Sequence, residues 1–283
     1  MRNLLYTLAS IGIAATLSAP MQAQVFNFST GPVTNAMATA SRPESAGKIE
    51  IESADDFVTG APLTFLTSGS FTGLLPTSAS ISQVRVEIYR VFPLDSTVPP
   101  STNVPTRNNS PSDVAFADRS SASGNLTFTT SVVNPNFTAL NSVLNGINKF
   151  PNQTTNGEGA VTGQEVQFNV NFTSPFALPA DHYFFIPQVQ LATGEFYWLS
   201  GSRPIVSPGT PFLPDLQQWI RNGNLDPDWL RVGTDIVGGA TPPTFNGAFS
   251  LSGQAVPEPG AFALFAGAFV SGGAFLLRRS RKR

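Results

Sequence analysis

Polar and apolar residues alternate with a period of two along much of this chain, the spacing that sends successive side chains to opposite faces of a β-strand. Val166, Phe168, Val170 and Phe172 alternate with Glu165, Gln167, Asn169 and Asn171. Ile49 and Ile51 alternate with Lys48, Glu50 and Glu52. Val84, Val86 and Ile88 alternate with Arg85 and Glu87 until the phase slips at Tyr89, which predicts a bulge there. Leu126, Phe128 and Val132 make an apolar set across Thr127 and Thr129. Further strands are predicted at 183–191, 196–199 and 249–251, with Thr193-Gly194 as a hairpin turn joining the first two. Helical spacing is rare. Two short helices are predicted, at 138–147 and at 214–221, the second with Pro214 at its start and Gly223 past its end. Gly, Pro, Ser, Thr and Asn fill the gaps between short strands. The expected fold class is all-β, an antiparallel β-sandwich of jelly-roll type with long loops.

Two stretches, 93–124 and 145–164, lack periodicity and carry turn dipeptides such as Pro-Asn, Asn-Gly and Glu-Gly. Loops this long carry function or divide a fold. Residues 24–254 therefore read as one sandwich ectodomain, with two lobes split near 145–164 as the competing division. Between Gln24 and Val256 stand ten Lys/Arg and seventeen Asp/Glu, a net charge of −7. So acidic and Lys-poor a surface argues against nucleic acid, whose phosphates need a basic footprint. The chain has no cysteine, which removes thiol catalysis, zinc–thiolate sites and disulfide stabilisation.

Both termini depart from the strand pattern. Arg2, an apolar stretch from Leu4 to Leu17 and Pro20 make residues 1–23 a secretory signal peptide, with cleavage expected between Ala23 and Gln24 by the general secretory machinery's processing. Residues 255–283 hold Pro257-Glu258-Pro259, an uncharged run at 261–277 and a basic tail at 278–283. Seventeen residues at ~1.5 Å rise make a helix of about 25 Å, enough for a slightly thinned bilayer core. Arg278, Arg279, Arg281, Lys282 and Arg283 would stay cytoplasmic and set the orientation. Pro257 and Pro259 would keep the motif extended at the outer face of the membrane.

That order of parts resembles the PEP-CTERM sorting signal of exopolysaccharide-producing Gram-negative bacteria. The resemblance implies an exosortase-type processing enzyme as partner, with Pro257, Glu258 and Pro259 as the motif it recognises. It implies transient anchorage in the inner membrane, then transfer to the outer envelope, cell surface or biofilm matrix. The stretch from Leu178 to Gly253, including 179–187, Glu195-Phe196-Tyr197-Trp198-Leu199-Ser200 and Asp228-Trp229-Leu230-Arg231, resembles the second half of exported β-sandwich proteins bearing the same tail. Tails of this kind also occur on proteins labelled ice-binding, as an ice-binding protein C-terminal-like domain, but no regular Thr-x-Thr ladder is apparent here.

Catalytic signals are weak. His182 is the single histidine, and its neighbour Asp181 should point to the opposite face of a strand, so the two do not make a base and its orienter. No Gly-x-Ser-x-Gly elbow supplies a nucleophile. No catalytic residue is assigned and no cofactor is expected, with one candidate exception. Asn222, Asn224, Asp226 and Asp228 place oxygens as a calcium loop begins, although Pro227 stands where such a loop needs glycine. A turn capped by Asp226 is the competing explanation. The expected function is that of an exported, non-enzymatic surface or matrix protein associated with exopolysaccharide. The alternative is a carbohydrate-binding module using Tyr197, Trp219 and Trp229 as glycan contacts, from an aromatic set that also includes Tyr183 and Trp198. A polysaccharide-degrading hydrolase with an acid/base carboxyl pair is third.

Overall fold

The computed structural model describes residues 23–92, 109–148, 153–204, 216–225 and 228–256. The signal segment before Ala23, the motif Pro257-Glu258-Pro259, the apolar run 261–277 and the basic tail 278–283 lie outside the described residues, as does Asp226. Among the described residues no helix is long and apolar enough to cross a membrane. Residues Val25–Ala255 form one compact unit.

Strand accounts for 63% of the described residues and helix for 3%, so the fold is all-β. The strands are β1 (Gln24–Ser29), β2 (Val33–Ala40), β3 (Ile51–Leu75), β4 (Ile81–Arg90), β5 (Ala117–Ser120), β6 (Leu126–Ala139) and β7 (Ser142–Val143). They continue with β8 (Val161–Leu191), β9 (Tyr197–Gly201), β10 (Trp219–Asn222), β11 (Leu230–Arg231), β12 (Asn246–Gly247) and β13 (Phe249–Val256). A single π-helical turn covers Val232–Val237.

The spine is the antiparallel pair of β3 and β8, 25 and 31 residues long. Their register runs from Asp55↔Phe185 to Leu75↔Gln164 and slips at Thr59/Leu63 and Leu66/Ser68. Pro62 falls in the first slip, where its missing N–H costs no ladder bond. Beyond β8, β6 pairs with its first half (161–172) and β4 with its second (183–191). The principal strand order is β5-β4-β8-β3-β9-β2-β7, with a parallel β2–β7 pair making the sheet mixed.

Both halves of the spine feed one core. Phe71 and Phe168 from one half stack at 4.8 Å, and Phe71 approaches Phe185 from the other half at 6.4 Å. Phe185 in turn stacks on Phe249 of β13 at 4.9 Å. Each fully buried ring of this kind contributes roughly 1.5–3 kcal/mol. Phe196 closes the cluster by lying against Gly73, where any side chain would collide with its ring. The predicted alternation of Val166, Phe168, Val170 and Phe172 holds, all four being buried.

Several expected elements come out differently. No bulge occurs at Tyr89, which pairs in register with Phe184. The phase slips because this end of β4 is covered on both faces: Ile88 joins the Phe-rich core, while Tyr89 packs with Trp219 and Trp229 on the other side. Ile49 is 41% exposed and Glu52 is buried, so the alternation read around Ile51 is reversed at its flanks. Val132 pairs in register with the buried Val166 yet is exposed, because β6 is bonded to β8 alone and lies at the margin of the sheet.

The segment 138–147 is no helix but the end of β6, then β7 and a bend. Its Val143 and Ile147, four apart as on a helix, enter one cluster because Glu158 gathers the intervening amides. From Trp219 the second predicted helix is strand β10, paired with Ile51–Ala54 of β3, with Trp219 and Ile220 facing different clusters. The bend at Thr193-Gly194 exists, with Gly194 at φ +82°. It makes no hairpin, because β9 pairs with β2 and β3 instead. The end of β8 is already bonded to β4 on one side and to the Ser41 carbonyl on the other. The stretch 93–124 contributes β5, which pairs with β4.

Candidate functional site

The three aromatics expected to meet glycan are not equivalent. Trp219 and Trp229 are 2% and 0% exposed, so both belong to the core. Trp229 lies under the Arg221 guanidinium at 4.4 Å, meets Tyr89 edge-on and donates its indole N–H to the Ser112 carbonyl at 3.2 Å. Aromatic burial on the covered face of β10 and β4 explains the correction. Tyr197 is half-buried and lines a small cleft of about 220 Å³ beside Glu195 and Pro76. Burial raises its phenol above the ordinary range.

At the calcium candidate, Asn222 ends β10 and its Oδ1 accepts the Asn224 N–H at 3.0 Å, a side-chain-closed turn. Asp228 is fully buried. Ala23 and Gln24 stand at the edge of the described residues, with Gln24 opening β1.

The carboxylates that sequence reading treated as outward lie partly inside. Glu52 of β3, Glu87 of β4 and the half-buried Glu50 bring carboxyl oxygens within 4.8 Å of one another. Arg221 of β10 bonds Glu52 and donates to the Tyr89 hydroxyl at 2.9 Å, and Tyr89 donates to Glu52 at 2.8 Å. Arg85 bonds Glu87 and reaches Glu50, which also accepts from Gln188 at 2.8 Å. Burial, then the neighbouring Glu52 charge, push the Glu87 carboxyl up to about 9 against the pull of Arg85. Burial also raises the half-buried Glu50 carboxyl, against the pull of the Gln188 hydrogen bond and of Arg85. The two arginines bring positive charge to the carboxyls, and the network is buried at Glu52, Glu87 and Arg221 but reaches solvent at Arg85 and Glu50.

A second buried pair joins β3 to β8. His182 Nε2 lies 2.6 Å from Asp56 Oδ2, and Asp56 Oδ1 accepts the Leu216 N–H at 2.8 Å. Asp181 does point away, as its position beside His182 requires; the histidine's partner comes from the adjacent strand. Geometrically this is a base and its orienter, but both side chains are enclosed, at 0% and 3% exposure.

One polar arrangement opens to solvent. On the face opposite the Phe-rich core, Ser70↔Asn169 and Thr72↔Gln167 pair across β3 and β8, followed by Leu74↔Glu165. β6 extends these rows with Thr129 and Ser131, and Ser250 of β13 meets Ser70 at 2.8 Å between hydroxyl oxygens. A groove of about 500 Å³ crosses this face, lined by Ser29, Ser70, Thr72, Glu165, Gln167 and Ser250 among others. Among the described residues Glu165 is the single charged side chain of the lining. It is 8% exposed and forms no hydrogen bond or ion pair among the described residues. Burial alone raises its carboxyl above the ordinary range.

Sequence reasoning missed Asp56, the Glu52–Glu87–Arg221 network and the groove. The density of acids from Glu50 to Asp56, four in seven residues, was the one available signal for the first two. The groove was hidden in plain alternation, since its polar side chains occupy the outward positions every half-buried strand has. No protein-family model matches this chain, and comparison with curated proteins and with solved structures likewise finds no match.

Proposed function

We propose that this chain is an exported, non-enzymatic cell-surface or extracellular-matrix protein, sorted by an exosortase-type enzyme and associated with exopolysaccharide. The observation that carries the proposal is the order of Pro257-Glu258-Pro259, the uncharged run 261–277 and the basic cluster 278–283. The three parts would act in turn as an extended peptide to grip, a membrane stop and a cytoplasmic lock. The apolar stretch and Pro20 before Ala23 supply the matching export signal.

The geometry of Val25–Ala255 supports display rather than turnover. Glycoside hydrolysis uses two carboxyl groups about 5–9.5 Å apart across a cleft. The groove lining offers one, Glu165, while His182–Asp56 and the Glu52–Glu87 network are enclosed in packed sheet. We also infer a jelly-roll sandwich, because β3 and β8 run through both halves of the sheet and enclose the core cluster between them.

The test is Glu258→Ala expressed in a host that carries an exosortase. The expected outcome is an unprocessed chain retained in the inner-membrane fraction. Normal processing and surface display of the variant would overturn the assignment.

A further inference from the structure

We propose that the groove across the outer face of β1, β3, β8 and β13 binds a neutral, hydroxyl-rich glycan, with Glu165 and Gln167 as central contacts. Half of the lining is a grid of short hydroxyl, amide and carboxyl groups, those on β3 and β8 held in register, and Val33, Val133 and Phe249 are among the apolar rest. Neighbouring strands set these groups about 4.8 Å apart, and alternate residues along a strand set them about 6.8 Å apart. Such a grid suits a ligand that carries many hydroxyls in a regular array. The groove's volume of about 500 Å³ falls within the ordinary range for ligand sites.

Glu165 is the telling residue. The residue is 8% exposed as a whole, and its carboxyl lines the groove. No protein group among the described residues bonds it, so its oxygens face solvent and can accept from a ligand. Adjacent hydroxyls of a sugar ring donate two hydrogen bonds to such a group while the Gln167 amide both donates and accepts. Other ligand classes fit worse. No cation lines the groove among the described residues, so an anionic polymer would meet Glu165 unopposed, on a segment that carries −7 from Gln24 to Val256. An extended peptide adds to a free strand edge, which here means the groove's margins at β1 or β6. By contrast β3 and β8, which carry Ser70, Thr72, Glu165 and Gln167, are paired on both sides. A lone carboxyl is too few ligands for calcium.

This site shares no residue with the sorting tail, so its failure would leave the sorting proposal standing, and the reverse. The test uses the full chain purified in mild detergent, run in native gels cast with dextran, galactomannan or hydroxyethyl cellulose, with alginate as the anionic comparison. The expected result is retardation by at least one neutral polymer, unchanged between about 0.05 and about 0.5 M salt. Glu165→Gln and Gln167→Ala should each weaken it about tenfold. Asn171→Ala, on the same face but outside the lining, should not. Melting curves identify any variant that loses fold, and Gln167, only half-buried, provides the second reading if Glu165→Gln does. Retardation by no neutral polymer, or by alginate alone, overturns the proposal. So does full binding by folded Glu165→Gln and Gln167→Ala, which would place the contact elsewhere.

Discussion

His182 and Asp56 form a buried pair across the central strands, Nε2 to Oδ2 at 2.6 Å, although 126 residues separate them in sequence. Burial raises the Asp56 carboxyl above its ordinary range, and the hydrogen bond and charge of His182 oppose the shift. The pair pins β3 to β8 at Val58↔His182 and Asp56↔Phe184, where the spine passes toward its first bulge.

Removing one partner of such a pair strands the other in a low-dielectric interior. His182→Ala and Asp56→Ala should each destabilise by about 3–5 kcal/mol. The double variant should cost clearly less than their sum. A urea-unfolding double-mutant cycle measures this coupling, and simple additivity would show that the two groups do not act together.

Glu87 gives the protein a pH dependence of unusual sign for a carboxyl. Its folded value is about 9, against 4.5 ordinarily. The folded state keeps a proton that the unfolded chain has released. This contribution is complete below pH 4.5 and is lost as pH rises through about 9. Stability should fall between those limits with a slope of at most about 1.4 kcal/mol per pH unit, read as a falling melting temperature. Glu87→Gln should flatten the curve and stand above the unmodified protein at alkaline pH. A parallel decline in both proteins would locate the effect elsewhere.

Glu158 works in the opposite direction. Its Oε1 accepts the amides of Leu144, Asn145 and Gly146 at 2.6–2.7 Å, and these bonds hold the carboxyl below its ordinary range despite some desolvation. The stabilisation is present above the unfolded value and is lost as pH falls through the folded one. Glu158→Gln should speed hydrogen exchange at those three amides and remove the acid dependence of their protection. Unchanged protection would mean that packing of Val143 and Ile147 suffices to order the bend.

The three tryptophans report on the core. Trp198, Trp219 and Trp229 are 0%, 2% and 0% exposed. Emission should be blue-shifted and poorly quenched by iodide, and neutral polysaccharide should leave it unchanged. Trp229→Ala should cost about 3–5 kcal/mol in stability and leave glycan retardation intact in the fraction that remains folded. Strong iodide quenching would put an indole at the surface and restore it as a ligand contact.

Period-two alternation was sufficient to identify the inward face of the first half of β8, because Val166 to Phe172 sits in a regular stretch with one covered side. The same rule failed at Tyr89 and Glu52, where a strand is covered on both faces and inward and outward positions lose their chemical contrast. It failed again at 138–147, where the spacing of Val143 and Ile147 is helical but Asn141 and Glu158 hold the backbone in turns. Trp219 and Trp229 were candidates because jelly-roll sandwiches hold glycans on exposed aromatics, but spacing alone does not tell an exposed ring from a packed one. In space both rings are covered, Trp229 by Arg221 and Tyr89, and Trp219 with it in the same cluster.

The all-β class, the acidic segment from Gln24 to Val256, the absence of thiol chemistry and the order of Pro-Glu-Pro, uncharged run and basic cluster at 257–283 follow from residue order alone, since each depends on local spacing, charge or composition. Strand partners, the Asp56–His182 pair, the proton held by Glu87 and the groove around Glu165 were decided only by tertiary structure. Each of these requires residues tens to more than a hundred positions apart to share one small volume, and no local pattern records which distant strand will lie alongside.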